Sequence, residues 1–124
     1  MKKVMSVGQC NPDHNSISAF LKGNFECEIV RIDSTDEAIE ELLKNQYNLV
    51  LVNRKLDIDY TDGTILIKKM QEIESLKKIP IMLISNYPEY QEEAIKLGAV
   101  RGFGKSELTL PGSKEEASKY LNKI

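Results

Sequence analysis

At 124 residues the chain is sized for one domain with a single core. Hydrophobic residues make up 41% and charged residues 29%, the balance of an ordinary globular protein. A net charge of -2 and the lack of any run of Lys or Arg argue against nucleic acid or an anionic membrane as partner, and no stretch approaches the ~18 apolar residues of a membrane span.

The amino terminus, MKKVMSVGQC, has a basic start but too short an apolar run for a signal peptide, so residues 2–8 read as a first strand and the protein as cytoplasmic. The two cysteines, Cys10 and Cys27, are expected as free thiols, and their lack of CxxC spacing argues against a structural zinc site. NPDHNSISAFL opens a first helix, with Asn11 as N-cap, Pro12 at the first helical position and Ile17, Phe20 and Leu21 facing the core. FECEIVRI alternates like an edge strand. STDEAIEELLKNQ is the clearest helix, with a Ser34–Glu37 capping box and an apolar stripe of Ile39, Leu42 and Leu43. YNLVLVN does not alternate and reads as a strand buried on both faces.

GTILIKKMQEIESL is a third helix and KIPIMLIS a further buried strand. YPEYQEEAIKLG is a helix opened by Pro88 and closed by Gly98. AVRGFG is predicted as a short fifth strand, and SKEEASKYLNKI as a last helix with a Ser113–Glu116 capping box.

Strand and helix alternate five times, which implies a parallel sheet covered on both faces, because parallel strands need crossover helices. The expected fold is a three-layer, doubly wound α/β domain spanning residues 1–124. Its five parallel strands take the flavodoxin-like order 2-1-3-4-5. In such sheets the functional crevice lies at the carboxyl ends of the strands. The residues gathered there are Gly8, Gln9 and Cys10; Asn53 and Arg54; Ser85 and Asn86; Gly104 and Lys105.

Three stretches at these tips carry a resemblance. IPIMLIS ends on a hydroxyl, AIKLGAVRGFGKSEL runs from helix through Gly-Ala and a short strand to a Lys, and LVLVNRKLDIDYTDG couples a strand to a loop ending in Asp-Gly. Together they resemble the receiver domain of two-component response regulators across nearly the whole chain. The resemblance implies a phosphoacceptor at Asn53, magnesium-binding acids near residues 8–10, a switch hydroxyl at Ser85 and the active-site Lys at Lys105.

The chemistry departs from that pattern. A receiver needs a carboxylate nucleophile and carboxylates for an octahedral magnesium ion. Here the phosphoacceptor position is an amide, and Gly8, Gln9 and Cys10 supply no acid. An aromatic switch position is filled by Gly102, with Phe103 next door, and Ser106 follows the Lys where Pro is common. The retained Lys105 ammonium is expected to be satisfied by the Asn53 carbonyl oxygen and by backbone carbonyls.

Asp57, Asp59 and Asp62 are candidates to replace the lost acids. They do not form a calcium loop, because Thr61 and Lys68 stand at the fifth and twelfth positions counted from Asp57. A solvated loop with Asp62 near the start of the third helix is the favoured reading. Asp57 lies roughly 13 Å along an extended chain from Asn53, so it reaches the crevice only if the loop folds back. His14 and Cys10 are read as a helix-start residue and an inert thiol. The chain lacks the Asp-x-His-x-x-Gly pattern of a cobalamin site and the Ser/Thr-rich loop of a flavin site. No metal and no cofactor are therefore expected. Tyr87 and Tyr90, with Phe103, mark a candidate interaction face.

These readings converge on a non-enzymatic, receiver-like signalling module of degenerate (pseudo-receiver) type. It would lack the phosphoacceptor Asp and act through phosphorylation-independent contact with a protein partner, with homodimerisation an open option. Two alternatives stand beside it. One is an atypical phosphorelay receiver using a loop Asp, and the other is a flavodoxin-like domain binding a small anion or cofactor on Lys105 and Ser85. No output domain is expected in this sequence.

Overall fold

The computed structural model describes all residues from 1 to 124. Four parallel strands form one sheet in the order β2-β1-β3-β4: β1 (Lys2–Val7), β2 (Cys27–Ile32), β3 (Leu49–Asn53) and β4 (Ile81–Ile84). Five helices connect or follow them: α1 (Asn11–Asn24), α2 (Thr35–Lys44), α3 (Thr64–Glu72), α4 (Pro88–Lys96) and α5 (Pro111–Ser118). No helix is long and apolar enough to cross a membrane.

Period-two alternation sends neighbouring strand residues to opposite faces, and both faces are covered. Val50, Val52 and Leu83 pack with Ala38 and Leu42 of α2, Leu66, Ile67 and Met70 of α3, and Ala94 of α4. Leu49, Leu51, Met82 and Ile84 pack with Ile17 and Leu21 of α1 and Ala117 of α5. This double burial is why β3 and β4 read as unbroken apolar runs. The edge position of β2, which pairs only with β1, is why its sequence alternates.

The expected fifth strand is not formed. Residues 99–104 do run beside β4: Val100 N donates to Ile81 O at 2.9 Å, and Ser85 N donates to Phe103 O at 3.2 Å. Between those bonds the ladder is opened by a side chain. Gln91, on α4 and only 5% exposed, donates from Nε2 to Leu83 O at 2.9 Å and to Ser85 O at 3.2 Å. Its Oε1 accepts from Gly102 N at 2.9 Å. A carboxamide thus stands where a peptide–peptide bond would lie, leaving Met82 and Val100 as an isolated parallel bridge. A Cβ at position 102 would sit 2.5 Å from Leu83 O, so the backbone approaches this closely only with Gly102.

Two helix starts also differ from expectation. The N-cap of α1 is Cys10 rather than Asn11, with no side-chain cap bond, because Asn11 is already helical. The last helix begins at Pro111, so Ser113 lies inside it and donates its hydroxyl to Glu107 O at 2.6 Å instead of forming a capping box with Glu116. Ser34 does cap α2, accepting from Glu37 N at 3.2 Å and donating to Glu37 Oε1 at 3.0 Å.

Candidate functional site

Register brings the strand tips together. Val7 lies beside both Ile32 and Val52, and Asn53 lies beside Ile84. The residues that follow, Gly8, Arg54 and Ser85, therefore border one crevice, and Lys105 reaches it from the 3-10 turn Lys105–Glu107.

On the β1–β3 side the crevice is closed by its own backbone and one leucine. Asn53 Nδ2 donates to Lys55 O at 2.8 Å and, more weakly, to Gly8 O at 3.4 Å, while Asn53 Oδ1 accepts from Arg54 N at 3.1 Å. The amide is thus spent on local backbone groups. The loop after β3 folds back, with Asp57 N donating to Gly8 O at 2.9 Å. That return carries Leu56, fully buried, onto Gly8. Gly8 has φ +75°, and a Cβ there would lie 2.3 Å from Leu56 Cδ2. Gln9 is 1% exposed, and its Oε1 has no partner.

A divalent cation does not fit this corner. The β1 tip supplies no carboxylate, an amide NH2 group already donates to Gly8 O and Lys55 O, and Leu56 fills the space above Gly8. No three His, Cys, Asp or Glu side chains converge as a metal-ligand group would.

The loop acids are engaged locally. Asp59 Oδ1 accepts from Thr61 N at 3.0 Å and Thr61 Oγ1 at 2.7 Å, and the Thr61 bonds hold its carboxyl below the usual range. Asp62 Oδ1 accepts from Thr64 N at 2.9 Å and Thr64 Oγ1 at 2.8 Å at the start of α3. Burial pushes the Asp62 carboxyl up, but the Thr64 bonds, together with the positive charges of Lys55 and Arg54, outweigh it and hold the group low. The Asp57 residue is exposed, even though its backbone touches Gly8.

Lys105 does not turn to Asn53. Its Nζ lies 2.6 Å from Asp13 Oδ2, in the first turn of α1. Burial raises the Asp13 carboxyl, but the Lys105 ammonium, with the nearby Cys10 thiol, prevails and holds it below the usual range. Asp13 looks like a helix-dipole residue in sequence. The signal that marks it as more is its place in the first turn after β1, where it borders the strand-tip crevice.

On the α4 side the crevice stays open, a cleft of about 450 Å³ lined in part by Arg54, Ser85, Asn86, Tyr87 and Tyr90. The Arg54 guanidinium stacks 3.8 Å from the Tyr90 ring centroid, and Tyr87 meets Tyr90 edge-on at 5.7 Å. Ser85, 6% exposed, accepts from Tyr87 N at 3.2 Å. Of the three candidate interaction residues, Tyr87 is exposed and Tyr90 packs partly on the core. Phe103 is 3% exposed and stacks edge-on against Phe20 at 5.6 Å, so it belongs to the core under α1 rather than to a docking face. His14 is half-buried, and its Nε2 meets Ser18 Oγ at 3.4 Å.

No protein-family model and no curated protein matches the chain. Solved structures do. The receiver domain of RstA from Klebsiella pneumoniae, in its BeF3-activated form, is 21% identical, with a TM-score of 0.74 over 95% of this chain and 96% of that one. The response regulator Rcp1, in a Mn(2+)-bound form, is 16% identical with a TM-score of 0.72 over 96% and 91%. The chemotaxis protein CheY4 of Vibrio cholerae is 20% identical with a TM-score of 0.67 over 96% and 94%. The chain therefore has the flavodoxin-like fold of response regulator receiver domains, with a four-stranded parallel sheet of order 2-1-3-4.

Proposed function

We propose that this chain is a single receiver-like signalling module that acts by protein–protein contact and does not accept a phosphoryl group. The reading is carried by Asn53, whose NH2 donates to Gly8 O and Lys55 O while Leu56 packs on Gly8. A phosphoacceptor must offer a carboxylate oxygen and a seat for a charge-neutralising cation. In this corner an amide stands in place of the nucleophile, its donors answer the carbonyls, and a hydrocarbon side chain fills the remaining space. Lys105 supports the same reading, because its charge is balanced within the domain by Asp13. The Gln91 bridge across β4 and residues 99–104 supports a contact face presented without a switching step. Exposed Tyr87, beside Glu89 at the start of α4, is the side chain we assign to that face.

The test is incubation of the protein and of its Asn53→Asp variant with a small phosphodonor and magnesium, followed by intact mass. Neither is expected to gain mass, since the variant still lacks acids at Gly8 and Gln9. Magnesium-dependent gain of one phosphoryl group by either protein overturns the proposal. Gain by the parent protein that is lost on mutating Asp57 would assign the acceptor to the loop.

A further inference from the structure

We propose that the α4 side of the crevice is a noncovalent oxyanion seat, centred on Arg54 and suited to a phosphate monoester. Three cations line this cleft, and two already face carboxylates: Lys105 Nζ lies 2.6 Å from Asp13 Oδ2, and Lys55 Nζ lies 3.8 Å from Asp62 Oδ2. Arg54 has no carboxylate within salt-bridge distance, and its side chain makes no hydrogen bond within the chain. It is nonetheless fixed. Its backbone N donates to Asn53 Oδ1 at 3.1 Å, its backbone O accepts from Gly63 N at 2.8 Å, and its guanidinium rests on the Tyr90 ring at 3.8 Å. Resting on the ring and making no hydrogen bond within the chain, the guanidinium keeps its N–H donors free, in the fork geometry that matches phosphate oxygens. Holding it in place before binding lowers the ordering cost of capture.

Two neighbours complete the seat. Ser85 Oγ accepts from Tyr87 N, so its own O–H remains to donate. Asn86 Oδ1 accepts from Ser106 N at 3.1 Å, which turns its NH2 group into a second free donor. A fork and two single donors suit a tetrahedral group with three oxygens better than a planar carboxylate with two. A cleft of about 450 Å³ has room for a group larger than inorganic phosphate. Glu89 lines the same cleft and opposes an anion, so it sets the affinity without occupying Arg54. The seat is distinct from the Lys105–Asp13 pair, and no bond is formed or broken in using it.

The test is an NMR titration with inorganic phosphate, O-phosphoserine and acetate at constant ionic strength, repeated on variants. Saturable shifts are expected at the amides of Arg54, Ser85 and Asn86, larger for the phosphates than for acetate. Arg54→Gln should weaken binding roughly tenfold or more, the usual effect of losing a charge-assisted hydrogen bond. Arg54→Lys should fall between, keeping charge without the fork, and Glu89→Gln should tighten binding. The spectra themselves report whether each variant is folded. A phosphoserine peptide that binds more tightly than O-phosphoserine assigns the ligand to a protein side chain, and equal binding assigns it to a free small molecule. Non-saturating shifts spread over the surface lysines, or an Arg54→Gln affinity equal to that of the parent, overturn the proposal. Failure here leaves the reading of Asn53 and Leu56 untouched, because intact mass rather than anion affinity decides that reading.

Discussion

The two halves of the crevice differ in what their backbone leaves available. Between β1 and β3, Leu56 packs on Gly8 and the Asn53 amide is consumed by Lys55 O and Gly8 O. Between β4 and α4, Gly102 lets the chain approach Leu83 O, Gln91 bridges the gap, and polar side chains with free donors face a cleft. One half is closed by a core leucine, and the other is an open, polar cleft. The contrast teaches that one side of a strand-tip crevice can be closed by packing while the donors beside it stay open to a cleft. Packing needs only one apolar side chain and a glycine, whereas a charged site needs several groups held at once.

The comparison breaks most sharply at Gly8. Gly8→Asp places a side chain against Leu56 on a backbone with φ +75°. Overpacking and left-handed strain together should cost about 4 kcal/mol, read as a drop in the urea midpoint. If Gly8→Asp is instead as stable as the parent, the closed half is not closed. Next in size is Gln91→Leu. It leaves Leu83 O, Ser85 O and Gly102 N without partners and should cost about 3 kcal/mol, with faster hydrogen exchange at Gly102. Asn53→Asp should cost about 2 kcal/mol in thermal unfolding, because a carboxylate cannot donate to Lys55 O and is repelled by it.

The smallest effect belongs to Asp13→Asn, about 0.5–1 kcal/mol at neutral pH, since the Lys105 pair is partly exposed. Its value lies in the pH dependence. The folded Asp13 pKa lies below its ordinary value of 3.8, so the folded state favours the ionised form. That contribution is complete above the ordinary value and is lost as pH falls through the lowered, folded one. A urea-midpoint series through acid pH should show a shallower acid decline for Asp13→Asn than for the parent. Identical slopes would remove Asp13 as the counter-charge of Lys105.

Much of this is legible in the sequence alone. The unbroken apolar runs of residues 47–53 and 78–85 marked buried parallel strands, because both sheet faces are covered. Ser34 was recognisable as a cap from its three-residue spacing to Glu37, which the bond from Glu37 N bears out. The amide at Asn53 and the lack of carboxylates at residues 8–10 are matters of composition at one spot. AVRGFG misled because its apolar character describes a segment lying along β4, while the missing ladder bond depends on a glutamine eight residues beyond Leu83. Phe103 misled in the same way: next to Gly102 in sequence, it points to Phe20 on the opposite layer.

The sequence by itself determined the alternation, the parallel sheet and the chemical identity of each strand tip. Those follow from local periodicity, capping and residue type. Tertiary structure alone decided how the tips answer one another. Lys105 meets Asp13 across 92 residues, Leu56 meets Gly8 because a loop turns back, and Arg54 stacks on Tyr90 without a carboxylate partner. Each of these is a contact between elements whose spacing along the chain carries no period, so only strand register and helix placement bring the groups together.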